Sequence, residues 1–129
     1  MKIKRNISII GGAGHVGLPL GLIFGSKGFK VSLIDKHSIN IKKINKGEMP
    51  FLEENGPKLL KKLLKKKKIY ATNQLSHILK SKYIIICIGT PITKKLNPNL
   101  KNFINFFYQL KKLLKKNHII IIRSSIYPG

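Results

Sequence analysis

The chain has 129 residues, 43% of them hydrophobic, and carries a formal net charge of +22 at pH 7. This is the length of one domain, long enough to bury roughly two-thirds of the surface that its unfolded chain would expose. The single cysteine, Cys87, excludes an internal disulfide and fits a reducing compartment. No uninterrupted apolar run approaches the ~18 residues needed to span a bilayer. We therefore expect one cytoplasmic α/β domain with no membrane partner.

The charge invites a search for a polyanionic partner such as nucleic acid. The basic residues are 24 lysines and only two arginines, and the chain is also rich in isoleucine and asparagine. A coding sequence poor in G and C produces that combination, whereas readers of nucleic acid rely on arginine for bidentate base contacts. We predict a solvated lysine surface and no nucleic-acid partner. A basic nucleic-acid-binding protein, whose affinity would fall steeply with salt, is the less favoured alternative.

The first elements follow in an informative order. An apolar strand over Asn6–Ile10 leads into the glycine-rich turn 12–17, and a helix then runs to about Lys27, where Gly28 ends it. A second apolar run, 31–34, delivers Asp35, the only aspartate, 18 residues after the turn. Strand, Gly-x-Gly-x-x-Gly, helix, strand and acid in this order predict a dinucleotide-binding unit.

The rest of the chain continues the alternation of helices and strands. Ser38 is predicted to cap a short helix, 38–46, and the loop that follows carries all three glutamates. The patterns predict further helices over 58–67, 74–80 and 100–115, and further strands over 69–72, 83–88 and 118–122. The predicted fold class is α/β, a Rossmann-like doubly wound parallel sheet of about five strands in three layers, incomplete at its C-terminal edge.

The turn assigns cofactor roles to its residues. Gly12 would allow the tight turn, Gly14 would let a pyrophosphate approach the backbone, and Gly17 would let the helix sit close on the strand. With His15 and Val16, these residues would place the phosphates at a helix N-terminus. Asp35 would accept hydrogen bonds from the adenosine ribose, which favours NAD over NADP, although Lys36 beside it would soften repulsion of a 2′-phosphate.

Other reactive side chains give no catalytic centre. Cys87 is predicted to lie inside a buried strand, where a thiol has a raised pKa and packs as a small hydrophobe. The four histidines share no metal-like spacing, so no metal is expected. His15 is expected to line the glycine turn.

Five ordered blocks resemble the UDP-glucose/GDP-mannose dehydrogenase family, and most of all its UDP-N-acetyl-D-mannosaminuronate dehydrogenase branch. The similarity covers the whole chain. The blocks occupy the ranges 11–20 (GGAGHVGLPL), 45–54 (NKGEMPFLEE), 88–91 (IGTP), 96–98 (LNP) and 123–129 (RSSIYPG).

The resemblance implies two successive NAD-dependent oxidations that turn a sugar primary alcohol, on a nucleotide carrier, into a carboxylate. It places Thr90 and Pro91 beside the cofactor at the end of the fourth strand. Ser125 stands where the family usually has threonine and keeps a hydroxyl for a supporting role near the nicotinamide. Glu53 matches a family glutamate near the cofactor cleft, and a loop acid paired with a lysine is the equally open interpretation.

The resemblance also implies what 1–129 lacks. The family's nucleophilic cysteine, its helper residues and the nucleotide-sugar pocket lie beyond the part of the family pattern that these residues match. We therefore expect 1–129 to be an NAD-binding domain, with the nucleotide sugar bound only with a second domain. The hypotheses left open are a domain of a working enzyme, a split-gene module with a complementing chain or homo-oligomer, and a remnant that binds NAD without catalysis.

Overall fold

The computed structural model describes residues 5–87 and 98–123, with side chains in the second range from residue 104 onward. The strands, in chain order β1 to β5, are Asn6–Ile10, Lys30–Ile34, Ile69–Thr72, Tyr83–Ile86 and Ile119–Ile122. The α-helices, α1 to α4, are Gly17–Ser26, Ser38–Asn45, Gly56–Lys65 and Pro98–Leu113. A 3₁₀ helix, Leu75–Lys80, joins β3 to β4.

The five strands form one parallel sheet in the order β3-β2-β1-β4-β5. In the central pair Ile9 lies opposite Leu33, and on the other side of β1 it lies opposite Ile85. The chain moves outward from β1 to β3, returns to β4 beside β1 and ends at β5. Ligands bind at the carboxyl ends of the strands where the direction of such a sheet reverses, here between β1 and β4. The predicted fold is confirmed.

Alternate residues of the strands build two separate cores, one on each face of the sheet. On one face, Ile9 and Leu33 pack with apolar residues of α1, α2 and α3. On the other, Ile10 and Ile84 pack with Ile78 of the 3₁₀ helix and with α4. The central strands β1, β2 and β4 are almost wholly buried and have the largely apolar sequences that a parallel sheet covered on both faces requires. The three-layer prediction is therefore confirmed.

Glycines on α1 allow that helix to pack closely against its neighbours. A Cβ on Gly21 would lie 2.7 Å from Leu33 Cδ2, and one on Gly25 would lie 2.8 Å from Leu63 Cδ1 of α3. The recurrence of Gly17, Gly21 and Gly25 every four residues predicts close packing of α1 against the sheet; Gly21 shows that packing, whereas Gly25 packs on α3. This packing brings the N-terminal end of α1 directly over the turn that follows β1.

Several predictions about element ends were wrong, including that of α4, which is Pro98–Leu113 and not 100–115. His37, not Ser38, is the N-cap of α2, and its Nδ1 accepts from the Asn40 N–H at 3.4 Å. Helix α3 begins two residues earlier than predicted, at Gly56, because a proline such as Pro57 fits the first helical turn. Cys87 lies just after β4 and is half-buried, since the regular strand ends at Ile86.

The two edges of the sheet differ. At the β3 edge, the Asn45 side chain pairs with both backbone groups of Ala71: its Nδ2 donates to the carbonyl and its Oδ1 accepts from the N–H, each at 2.9 Å. At the other edge, the four isoleucines of β5 are 41–61% exposed. Within 5–87 and 98–123, no helix is both long and apolar enough to cross a membrane.

Candidate functional site

The glycine turn is fixed to the end of β2 through its backbone. The Ile34 carbonyl accepts from the N–H of Gly11 at 2.8 Å and from that of Gly12 at 3.1 Å. The Gly14 N–H donates to the Gly11 carbonyl at 3.2 Å and closes the turn. Gly11 has a φ of 83°, a left-handed conformation that favours glycine. We expected Gly12 to supply this freedom, and the structure places it one residue earlier.

Gly12 and Gly17 are required by close packing. A Cβ on Gly12 would lie 2.8 Å from both Cα and Cβ of Leu33. A Cβ on Gly17 would overlap the Gly11 carbonyl oxygen and lie 2.9 Å from Gly12 Cα. The predicted close approach at Gly17 therefore exists, but its partner is the turn and not the strand. These contacts bring the first turn of α1 against the end of β1.

The packing leaves a row of backbone donors at the start of α1. The N–H groups of His15, Val16 and Gly17 donate to no residue in the part of the chain that the structure describes. Next to them, a Cβ on Gly14 would have the Gly11 carbonyl oxygen, at 3.5 Å, as its one neighbour there within 4 Å. His15 and Val16 are exposed. Unpaired N–H groups at a helix N-terminus beside an open backbone form a site for an anion such as phosphate.

The Asp35 carboxylate lies at the same carboxyl end of the sheet, directly after β2. Its Oδ2 accepts from the Ala13 N–H and its Oδ1 from the His37 N–H, both at 3.0 Å. The side chain is half-buried. A carboxylate has about four acceptor positions, so two such bonds leave capacity for the hydroxyls of a ribose. Asp35 and the free donors of α1 thus lie on either side of the Ala13 peptide.

Sequence reasoning missed the contribution of α2. Asn40, in its first turn, directs Nδ2 toward the Ala13 carbonyl at 3.5 Å. His37 and Asp35 together fix the start of the same helix. The spacing of Asp35 and Asn40 in the sequence carries no signal for this, because both contacts lead to a residue more than 20 positions away.

The loop between α2 and α3 lies against the glycine turn. Phe51 stacks on the exposed His15 ring, with the two centroids 4.2 Å apart and the planes 26° from parallel. This contact places the exposed His15 ring beside the loop, and its role at the cofactor stays a prediction. Glu53, in the same loop, is exposed. The loop thus lies beside the start of α1. Glu53 is an exposed residue of this loop, two positions after Phe51.

Three of the predicted site residues, Thr90, Pro91 and Ser125, lie outside the described residues. Cys87 comes one residue after β4, and burial raises the pKa of its thiol, with an opposing effect from the charge of Arg123. A raised pKa disfavours the nucleophilic thiolate. Within the described ranges, no group of three or more histidine, cysteine, aspartate or glutamate side chains is placed to hold a metal ion.

Comparison with known proteins decides the family. Residues 5–129 match the NAD binding domain of the UDP-glucose/GDP-mannose dehydrogenase family. The chain belongs to this family. NAD is therefore the cofactor of the domain, and the resemblance of the five sequence blocks is confirmed.

Relatives of this dehydrogenase domain include enzymes with different sugars in their names. The UDP-N-acetyl-D-mannosamine dehydrogenase of Pyrococcus horikoshii is 31% identical to this chain. The matched region covers 92% of this chain and 28% of the length of that enzyme. The UDP-glucose 6-dehydrogenase of Rickettsia prowazekii is 32% identical over 96% of this chain and 29% of its own. The chain thus spans less than a third of the length of these curated relatives.

Solved structures of family members share the fold. The UDP-D-ManNAc dehydrogenase of Pyrococcus horikoshii superposes with a TM-score of 0.83 at 31% identity, over 96% of this chain and 29% of that one. A ternary complex of GDP-mannose dehydrogenase from Pseudomonas aeruginosa gives a TM-score of 0.82 at 27% identity, over 95% and 29%.

The residues present fit NAD. A dinucleotide needs donors for its pyrophosphate and an acceptor for its adenosine ribose. The free N–H groups of His15, Val16 and Gly17 are such donors, and the half-buried Asp35 carboxylate is such an acceptor. Open space at Gly14 completes the match on the protein side.

Proposed function

We propose that the domain binds NAD with the pyrophosphate on the N–H groups of His15, Val16 and Gly17 and the adenosine ribose on Asp35. The observation that carries this proposal is the row of N–H donors at the start of α1, unpartnered among the described residues, beside the open Gly14. The dipole of α1 adds a further attraction for the phosphate charge. Gly12 serves the site by allowing the turn to pack on Leu33.

NAD is preferred over NADP on electrostatic grounds. The 2′-phosphate of NADP would approach the Asp35 carboxylate, whose two oxygens already accept from Ala13 and His37. A buried or half-buried carboxylate repels such an anion, whereas a 2′-hydroxyl donates to it. Lys36 next in the chain is exposed and reduces the repulsion without removing it.

As part of a complete enzyme, the domain would serve the oxidation of a nucleotide sugar from primary alcohol to carboxylate in two steps. NAD, when bound, accepts a hydride in each step. Thr90 and Pro91 would line the cofactor pocket after β4, and Ser125 and Glu53 would have supporting roles. The names of the relatives favour a UDP-sugar such as UDP-N-acetylmannosamine or UDP-glucose.

The rest of the active site is proposed to come from outside these 129 residues. Burial raises the pKa of the Cys87 thiol and so disfavours its thiolate, which supports a nucleophile other than Cys87. A second domain of the same polypeptide or a complementing chain would provide the reactive groups and the nucleotide-sugar pocket. The solitary cysteine further supports a cytoplasmic location.

Isothermal titration of the 129-residue chain with NAD and with NADP tests the proposal. We expect saturable binding of NAD, and at least about tenfold weaker binding of NADP because of repulsion by Asp35. Titrations repeated at high salt separate this site from attraction to the lysine surface, which screening weakens. Equal, strongly salt-dependent binding of both nucleotides and of an unrelated polyanion would instead favour the nucleic-acid alternative.

A further inference from the structure

The backbone of Ala13 lies between two anchored residues, Gly11 and Gly12, and the N–H donors at the start of α1. Gly11 and Gly12 are anchored by their hydrogen bonds to the Ile34 carbonyl of β2. The Ala13 N–H donates to Asp35 Oδ2 at 3.0 Å, and the Ala13 carbonyl accepts from Asn40 Nδ2 at 3.5 Å. Ala13 itself is 1% exposed. The two peptide groups on either side of the Ala13 Cα are thus held by Asp35, just after β2, and by Asn40 of α2.

The segment from Asp35 to Asn45, which holds these two peptide groups, is itself fixed at several points. The His37 N–H donates to Asp35 Oδ1 at 3.0 Å, so the carboxylate is held on both oxygens. At the other end of α2, Asn45 makes its two 2.9 Å hydrogen bonds to Ala71 of β3. Helix α2 therefore connects the edge of the sheet rigidly to the glycine turn.

We propose that Asp35 and Asn40 clamp the two peptide groups that flank Ala13 and thereby hold the His15 and Val16 N–H groups in the direction that binds phosphate. This inference rests on the proposed function and extends it. Asp35 is then a positioning residue for the phosphate site as well as the ribose acceptor. Asn40 is a positioning residue alone.

The clamp and simple electrostatics predict opposite effects of removing Asp35. Asp35 carries a negative charge near an anion-binding site, so its loss should strengthen the binding of any phosphate ligand. If the carboxylate holds the turn, its loss should weaken that binding despite the favourable change in charge. A ligand without a ribose separates this role from ribose recognition.

Inorganic pyrophosphate, followed by ¹H–¹⁵N NMR of the 129-residue chain near physiological salt, is the probe. The shifts of the His15 and Val16 amides report the site itself and not the lysine surface. We expect Asp35→Ala to weaken pyrophosphate binding at these amides about threefold to tenfold, and Asn40→Ala about twofold to fivefold, the range of one hydrogen bond. Ile39→Ala, an uncharged substitution at the exposed neighbouring position of the same helix, is the matched control and should leave the affinity unchanged.

Hydrogen exchange of the Ala13 amide, measured without ligand, is the second readout. In Asn40→Ala this amide keeps its Asp35 acceptor, so faster exchange, by about twofold or more, would report a loosened peptide. Unchanged exchange in Asn40→Ala, with unchanged pyrophosphate affinity, would overturn the role of Asn40. Equal or tighter pyrophosphate binding by Asp35→Ala would overturn the role of Asp35.

The two readouts also separate this inference from the proposed function. If pyrophosphate shifts neither His15 nor Val16 in the unsubstituted chain, the proposed phosphate site is wrong. The clamp is then decided by exchange alone: faster Ala13 exchange in Asn40→Ala supports it, and exchange at the original rate contradicts it. Weaker pyrophosphate binding in Asn40→Ala with unchanged Ala13 exchange would mean that Asn40 contacts the ligand directly, which also contradicts the clamp.

Discussion

Replacing Gly17 or Gly14 with alanine separates folding from cofactor binding, because the two glycines have different neighbours. A methyl group on Gly17 would overlap the Gly11 carbonyl oxygen and lie 2.9 Å from Gly12 Cα. Both neighbours are backbone, which cannot rotate away as a side chain can. A methyl group on Gly14 would meet, among described residues, only the Gly11 oxygen at an ordinary 3.5 Å.

The sizes of the two effects follow from these contacts. Overpacking costs about 1–3 kcal/mol, and a backbone neighbour puts Gly17→Ala at the upper end. The better helix propensity of alanine returns at most about 1 kcal/mol. We expect Gly17→Ala to lower the free energy of unfolding by about 1–2 kcal/mol and the Tm by roughly 3–8 °C. Gly14→Ala should leave stability within about 0.5 kcal/mol of the original chain.

NAD affinity, by contrast, is the property that Gly14→Ala should change. The Gly14 methyl would occupy the space beside the free N–H groups, so NAD affinity should fall about tenfold or more while the fold is intact. Urea unfolding followed by circular dichroism measures the stability of both variants, and isothermal titration measures their NAD affinity. Unimpaired stability in Gly17→Ala would refute the packing argument. Unimpaired NAD affinity in Gly14→Ala would refute the placement of the pyrophosphate.

Three further predictions concern stability. Asn45→Ala removes two 2.9 Å hydrogen bonds to Ala71 and should lower the free energy of unfolding by about 1–2 kcal/mol in urea titrations, with Lys46→Ala unchanged as its control. Burial and, to a smaller extent, the charge of Lys80 lower the pKa of His77. The stabilising effect of the neutral ring should therefore be complete above the unfolded-state pKa and decrease as the pH falls toward the folded-state pKa. His77→Gln should reduce this pH dependence in thermal melts, and an unchanged pH dependence would exclude His77 as its source. The net charge of +22 should make the Tm rise as NaCl increases from about 20 mM to about 500 mM, and a falling Tm would show that self-repulsion is not significant.

Much of the fold could be predicted because the signals are local. Each strand is a short apolar run, and β-branched isoleucine fills both faces of a parallel sheet. Gly17, Gly21 and Gly25 recur every four residues, and the structure uses their shared face for close packing. The glycine turn and Asp35 lie at adjacent strand ends because consecutive parallel strands require a crossover helix between them.

The errors arise where the outcome depends on distant partners. The left-handed backbone falls on Gly11 because the Ile34 carbonyl accepts from two successive N–H groups of the turn. His37 replaces Ser38 as the cap of α2 because Asp35 holds the His37 N–H and so fixes where the helix begins. In a sequence with several adjacent glycines and polar residues, neither choice can be read from spacing alone.

The polar contacts of α2 were beyond sequence reasoning for the same cause. Asn45 pairs with a residue 26 positions away, and Asn40 reaches back 27 positions to Ala13. An asparagine on a short helix has no pattern that announces such a partner. The Asn45 contact depends on the register of β3 beside β2, which places Ala71 at the sheet edge.

Titration of ¹⁵N-labelled 1–129 with NAD, followed by ¹H–¹⁵N NMR, tests the central claim most directly. A site on the glycine turn predicts saturable shifts at the amides of Gly14 to Gly17 and around Asp35, with little change along the lysine-rich α3. Absence of shifts, or shifts confined to α3 that disappear at high salt, would contradict an NAD site at the start of α1.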